Sequence, residues 1–368
     1  MVDQLNSSTK KAVRVAIFPY SKTSENPYLD QLSSELEKLN VTVEALSYRQ
    51  FFLSFFLGKD RPEILHLQWL HAFLGRTSLL KSVTSASLFL SQLLVLKLIG
   101  VKIVWTAHNL KNHENRFYWL DKFGTTVVAK LANAVVAHCE TAKTAIASYL
   151  SLTDLNKIHV VPHANYIACY ENKLTRSEAR EQLSLSDTQP VFLFLGQIRP
   201  YKGVAELVEA FNEALSQLPN SDAKLLIAGK LWEEDLPFRS LIQQEAEKHV
   251  QIDLIARFIP DNQLQLYFNA CDVVVFPYKD ILTSGAVMLA ISFGKACIAP
   301  KLGCIGETLE EAGSFLYHPD ESNGLSNAIF QAIERQSSLL EMGNYNFQLS
   351  KRYSGRKIAE MTKCVYQI

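Results

Sequence analysis

Twelve short runs of β-branched and aliphatic residues, separated by longer stretches of helical spacing, constrain the fold of this chain more than any other feature. The first six are VRVAIF (13–18), VTVEAL (41–46), EILHLQW (63–69), VKIVWTA (101–107), AVVAH (134–138) and IHVVPH (158–163). The pattern then begins again with PVFLFLG (190–196), AKLLIAG (223–229), QIDLIA (251–256), DVVVFPY (272–278), KACIAP (295–300) and GSFLYH (313–318). Continuous apolar strands alternating with helices belong to parallel sheets covered on both faces. Two such sets predict an α/β chain of two doubly wound, Rossmann-like domains facing an interdomain cleft, with ligands at the carboxyl ends of the strands. The expected domains are 1–170 and 171–348, joined through the polar, charge-rich stretch 164–188. Residues 349–368 read as a basic C-terminal helix that crosses back to the first domain.

The 368 residues are 48% hydrophobic and 20% charged, enough for each domain to close its own core. The 37 basic and 37 acidic side chains cancel, but unevenly: residues 1–170 hold 18 Lys/Arg against 12 Asp/Glu, and the remainder 19 against 25. No nucleic-acid partner is expected. The polar first eleven residues have no apolar signal core, and the six cysteines form no CxxC pair, which points to reduced thiols in the cytoplasm and to no zinc site. SVTSASLFLSQLLVL, between Lys81 and Lys97, is shorter than the roughly 20 residues of a spanning helix and reads as a buried one. FFLSFFLG (51–58), flanked by Arg49, Lys59 and Arg61, suits either a core helix or peripheral contact with an anionic membrane, at its inner face.

The chemistry-bearing residues of the second half fall after strands. Gly196-Gln197-Ile198-Arg199-Pro200-Tyr201-Lys202-Gly203 puts two cations on a strand-to-helix loop, where backbone N–H groups and the helix dipole favour an anion. Arg199 offers a fork to phosphate oxygens and Lys202 a point charge. Thr283, Ser284 and Gly285 precede the apolar helix AVMLAISFG and present small donors at its start. Two phosphate-competent loops on one domain indicate a nucleotide diphosphate.

The order GxIRPYKG, LLIAGK, FPY with TSG, and SFGKA followed by IGE resembles the donor domain of glycosyltransferase family 4, with the GT-B fold, and VWTAHN (104–109) resembles its first domain. The resemblance implies a hexosyltransferase that uses a nucleotide-diphosphate sugar as co-substrate, with no resident cofactor or metal. Its partners would be that nucleotide sugar and a glycan, glycolipid or lipid-linked acceptor, in polysaccharide or glycoconjugate biosynthesis. It further implies that Arg199 and Lys202 hold the donor diphosphate with Thr283, Ser284 and Gly285, and that Glu307 lies near the donor. The family's paired glutamates fall on Ile281 and Leu289, so the usual carboxylate grip on the ribose is missing.

In the first half, His108 ends the fourth strand and matches a family histidine near the transferred sugar, which makes it a catalytic candidate with Glu114 on the following loop. His66, Trp69, Asn109 and His163, at other strand ends, are acceptor-side candidates. Retention by front-face displacement is the default expectation for the family; an inverting reaction would need a carboxylate base, Glu114 or Asp121. A non-catalytic GT-B partner subunit is the alternative of a different class. A dehydrogenase is disfavoured because no GxGxxG follows either first strand.

Overall fold

The computed structural model describes residues 12–21, 27–47, 56, 58, 61–74, 78–111, 117–232 and 236–368. These form two compact units. The first comprises residues 1–137, 145–161 and 355–368; the second comprises 138–144 and 162–354.

In the first unit, β1 (Val13–Phe18), β2 (Val41–Ala45), β3 (Ile64–Leu67), β4 (Lys102–Thr106), β5 (Ala134–Ala137) and β6 (Ile158–Val160) make one sheet in the order β2-β1-β3-β4-β5-β6. Every pair is parallel. The strand order reverses between β1 and β3, so the carboxyl ends of these strands border the switch point. Helices α1 (Pro27–Lys38), α2 (His71–Leu74), α3 (Leu79–Leu98) and α4 (Tyr118–Leu131) precede α5 (Glu140–Tyr149), whose first residues group with the second unit.

Helix α3 departs from the sequence expectation. It runs for 20 residues, long and apolar enough by length and composition to cross a membrane, and it is not a buried helix. Ser78 caps its start by accepting from Lys81 N–H. Only the stripe Ser82, Ala86, Phe89, Gln92, Leu93 and Leu96 is buried, with Phe89 stacked on Phe73 at 4.3 Å. With apolar side chains on every face and small polar ones scattered among them, the sequence carries a weak helical-face signal, so which side packs is decided by the sheet.

In the second unit, β7 (Val191–Leu195), β8 (Lys224–Ala228), β9 (Ile252–Ile255), β10 (Val273–Val275), β11 (Ala296–Pro300) and β12 (Ser314–Tyr317) form a sheet ordered β12-β11-β10-β7-β8-β9. Its pairs are also all parallel. Read from the other edge this is 3-2-1-4-5-6, the dinucleotide-fold order, with its switch point between β7 and β10. The helices are α6 (Arg176–Gln182), α7 (Val204–Gln217), α8 (Leu236–Glu247), α9 (Leu264–Ala270), α10 (Gly285–Ser292), α11 (Ile305–Thr308), α12 (Gly324–Glu334) and α13 (Leu339–Ser350).

The polar stretch read as a joining segment is built into this second unit. Thr175 and Glu178 close a capping box on α6, and Arg180, 1% exposed, reaches Asp272 at 2.7 Å and the carbonyls of Ala270 and Gln189. Asp272 also accepts from Arg176 at 2.8 Å and from Val191 N–H, so one half-buried carboxylate ties α6 to the start of β7. The last helix, α14 (Gly355–Val365), packs on α1 in the first unit, where Lys363 donates to the Leu39 carbonyl.

Candidate functional site

At the switch point of the second unit, three strand-end loops are joined by backbone hydrogen bonds. The loop after β7 carries Arg199, Lys202 and Gly203; the loop after β10 carries Tyr278, Thr283 and Ser284; the loop after β11 carries Gly303 and Cys304. Lys279 N–H donates to Tyr201 O at 3.0 Å, and Cys304 N–H to Leu282 O at 2.8 Å. Glycine is required at two of the crossings. Gly203 has φ 68° and a Cβ there would sit 1.9 Å from the Pro277 carbonyl oxygen; Gly303 has φ 47° and its Cβ would sit 2.5 Å from Leu282 O.

The basic pair is held rather than loosely solvated. Ile198 pairs with Leu231 in an isolated parallel bridge, and this brings Trp232 under the guanidinium of Arg199, 3.9 Å from the ring centroid. Lys202 lies 5.7 Å from the Tyr278 ring centre. Burial, with the Arg199 charge as the lesser cause, pulls the Lys202 ammonium from 10.5 down to about 8. Two cations held side by side on a half-buried loop can be stabilised by an incoming anion. Trp232 and Tyr278 were not singled out from the sequence. The signal for Trp232 lies in the matched ends of LFLG and IAGKLW on neighbouring strands, which becomes visible only once their register is known.

Beside the pair, Ser284 caps α10 by accepting from Val287 N–H at 3.3 Å, and Thr283 donates to Cys304 Sγ at 3.2 Å. A Cβ on Gly285 would lie 3.2 Å from Tyr166 Oη and 3.5 Å from His163 Nε2, so both rings stand over the start of α10. His163, expected on the acceptor side of the first domain, thus belongs to the second unit. Its Nδ1–H donates to the Ala164 carbonyl at 2.8 Å, and burial, reinforced by His138, pushes its pKa down to about 3. It is a neutral imidazole with Nε2 as the unprotonated nitrogen.

Glu307 serves as a helix cap. Its carboxylate accepts from Thr141 N–H at 2.5 Å and Glu140 N–H at 3.1 Å, capping the start of α5 within the second unit. Burial raises its pKa, but the Thr141 and Glu140 hydrogen bonds outweigh that and leave it below the usual carboxylate range. Leu289 is buried in α10 and Ile281 packs against the same core, so apolar side chains fill the two positions where the family carries glutamates.

In the first unit, His108 follows β4 and Trp69 follows β3. The two rings stack at 4.6 Å, with Tyr28 edge-on to His108 at 5.5 Å. His108 Nε2 lies 2.9 Å from Gln68 Oε1, and Gln68 Nε2 lies 3.2 Å from His66 Nε2. His66 is buried, with Nδ1 2.7 Å from Tyr366 Oη on the chain's last turn and Nε2 2.8 Å from Thr106 Oγ1. With Gln68 oriented this way, its amide accepts from His108 and donates to His66, which protonates His108 at Nε2 and His66 at Nδ1. Gln68 was missed in the sequence. His66 is an interior residue because its place in β3 turns it toward α14, while Trp69, past the strand end, is half-buried. Asn109 is exposed, Asp121 is buried in α4, and Glu114 and most of 51–58 lie outside the described residues, Phe56 being buried.

The family model described as glycosyl transferases group 1 matches residues 175–349. Over 318 residues the chain is 25% identical to a GDP-mannose:glycolipid 4-beta-D-mannosyltransferase of Xanthomonas campestris pv. campestris, covering 84% of this chain and 80% of that one. A lipopolysaccharide 1,2-N-acetylglucosaminetransferase of Salmonella typhimurium is 25% identical over 185 residues, 48% of this chain and 47% of the other. Among solved structures, sucrose-phosphate synthase from Thermosynechococcus elongatus superposes with a TM-score of 0.73 at 15% identity, covering 96% of this chain and 98% of that one. Anabaena HepE in complex with UDP and glucose gives 0.73 at 16%, covering 97% and 100%. The chain thus has the GT-B fold of two parallel six-stranded sheets, and its residues 175–349 carry the glycosyltransferase domain.

Proposed function

We propose that this glycosyltransferase moves a hexose from a nucleoside diphosphate sugar onto a glycolipid hydroxyl, with Arg199, Lys202 and the start of α10 gripping the diphosphate. The observation that carries the reading is the pair of half-buried cations at the β7/β10 switch point, Arg199 stacked on Trp232 and Lys202 beside Tyr278. The glycolipid acceptor rests on the mannosyltransferase relative, whose match spans most of both chains. The same proposal puts the enzyme at the cytoplasmic face of a membrane.

In the transfer, the bond from C1 to the β-phosphate oxygen breaks and its electron pair leaves with the nucleoside diphosphate, while the acceptor oxygen bonds to C1. Arg199 and Lys202 stabilise the charge that collects on the departing oxygens. His108 donates from Nε2 to Gln68, which fixes the tautomer of a ring that in this reading borders the transferred sugar. In front-face displacement the acceptor proton passes to the leaving phosphate and no protein base is needed. In the inverting reading a carboxylate takes it; Asp121 is buried in α4, which leaves Glu114.

Replacing Arg199 and Lys202 together by Ala is expected to abolish both transfer and binding of UDP-glucose and GDP-mannose, measured by calorimetry. Undiminished nucleotide-sugar affinity in the double variant would reject the assignment. The anomer of the product, read by NMR, separates the two stereochemical routes.

A further inference from the structure

We infer that the outward faces of α3 and α4 form a docking surface for an anionic lipid bilayer. Of the seventeen large hydrophobic side chains exposed among the described residues, ten lie on these two helices. On α3 the outward stripe includes Leu80, Leu94 and Leu98, the first and last being 78% and 77% exposed. Serines and threonines fill the intervening outward positions, so the face is apolar without being bulky. On the neighbouring α4, Trp119 and Phe123 stand one turn apart and are 57% and 59% exposed, with Tyr118 beside them. Indole and phenol rings at the rim of an aliphatic surface suit the headgroup level of a bilayer.

The charges on these helices have one sign. Helix α3 contains no Asp or Glu and holds Lys81 and Lys97 near its ends; the only acidic residue of α4, Asp121, faces inward, and Lys122 and Lys130 face out. Arg61 is fixed at the C-terminal end of α3 by donating to the Ile99 carbonyl, and Lys157 beside α4 by donating to Lys130 O. Lys97 is close enough to Lys157 to help lower its pKa, after burial and against Asp154, so the cationic field is concentrated at that end. Counted over the first unit as a whole, 20 Lys/Arg stand against 12 Asp/Glu. An apolar stripe bordered by lysines complements a surface of acyl chains beneath anionic headgroups.

The packing decides between lying on a bilayer and crossing it. The inner stripe of α3, with Phe89, Leu93 and Leu96, is committed to the core of the unit, so only the outer stripe can reach lipid. A helix of about 30 Å lying flat dips its side chains roughly 5–10 Å into the interface. This surface is separate from the transfer chemistry and does not depend on which sugar is moved.

The test is flotation of the full chain with vesicles of phosphatidylcholine alone or with 30% phosphatidylglycerol added, without donor or acceptor. The wild type is expected to float with the anionic vesicles at least tenfold more than with neutral ones, and Trp119 emission to shift to the blue. The variant Leu94→Gln/Leu98→Gln/Phe123→Gln, altered only at exposed positions, should lose flotation at least tenfold while keeping its melting temperature. Lys81→Glu/Lys122→Glu should lose the anionic preference. Equal flotation of the wild type and the triple variant overturns the proposal. So does a wild-type dimer that becomes monomeric in the triple variant and never floats, since the face would then join two copies of the chain. Donor binding in the same samples is scored separately, so a failed lipid surface and a failed transferase reading are distinguishable.

Discussion

Lys202 is the residue on which the site's electrostatics turn. Its ammonium, held at about 8, is charged at neutral pH only at a cost that a diphosphate removes. Affinity for a nucleotide sugar, whose diphosphate does not titrate in this range, should be flat below pH 8. It should then weaken by up to tenfold per pH unit above it, as the free enzyme loses the proton. Calorimetry between pH 6.5 and 9.5 checks this, and Lys202→Arg, which keeps its charge, should flatten the curve. The same shift has a consequence for stability. Between about 8 and 10.5 the unfolded chain holds a proton that the folded one has released, so the contribution of this group to stability rises with pH through that window. The arrangement around Lys202 was only partly legible in the sequence: Arg199 and Lys202 stand out by loop position, but Trp232, which stacks under Arg199, comes from the next strand's loop.

At the scale of elements, α6 shows how a polar segment can be structural. Its sequence, RSEAREQ, reads as solvated, yet Arg180 is enclosed and donates to Asp272 and to the Ala270 and Gln189 carbonyls. Arg180→Ala should remove one of the two guanidinium partners of the half-buried Asp272, leaving Arg176, and should lower stability by about 1–3 kcal/mol in chemical denaturation. Asp272→Asn should cost less, because the amide still offers an oxygen to Val191 N–H. A change near zero for both would mean that α6 is not anchored by this pair. The opposite case is α3, where the sequence reads as interior and half of the surface faces outward.

At the scale of the whole molecule, the last fourteen residues belong with the first unit although they follow the second in sequence. Helix α14 packs on α1, Gly355 sits against Gln31, and Tyr366 reaches His66. A chain ending at Ser354 should therefore lose stability in the first unit while retaining nucleotide-sugar binding in the second. Calorimetric unfolding should show the transition of the first unit lowered and that of the second, stabilised by donor, unchanged. Loss of donor binding on truncation would contradict this division.

The architecture was written locally. The central strands appear as apolar runs because a parallel strand buried on both faces needs apolar side chains at every position, whereas the edge strands β2 and β9 mix in polar residues. The candidate phosphate loops stand out for a related reason: cations and small hydroxyls immediately after such strands have few other uses. Tertiary structure alone decided the rest, because it depends on partners distant in sequence. Only the packed sheet sends His66 inward to Tyr366 and leaves His108 stacked on Trp69. The Glu307 carboxylate caps α5, 166 and 167 residues earlier, and a largely apolar α3 acquires an inside and an outside. A side chain's type limits the chemistry it can perform, and its neighbours, assembled by the sheet order, determine which part of that chemistry is expressed.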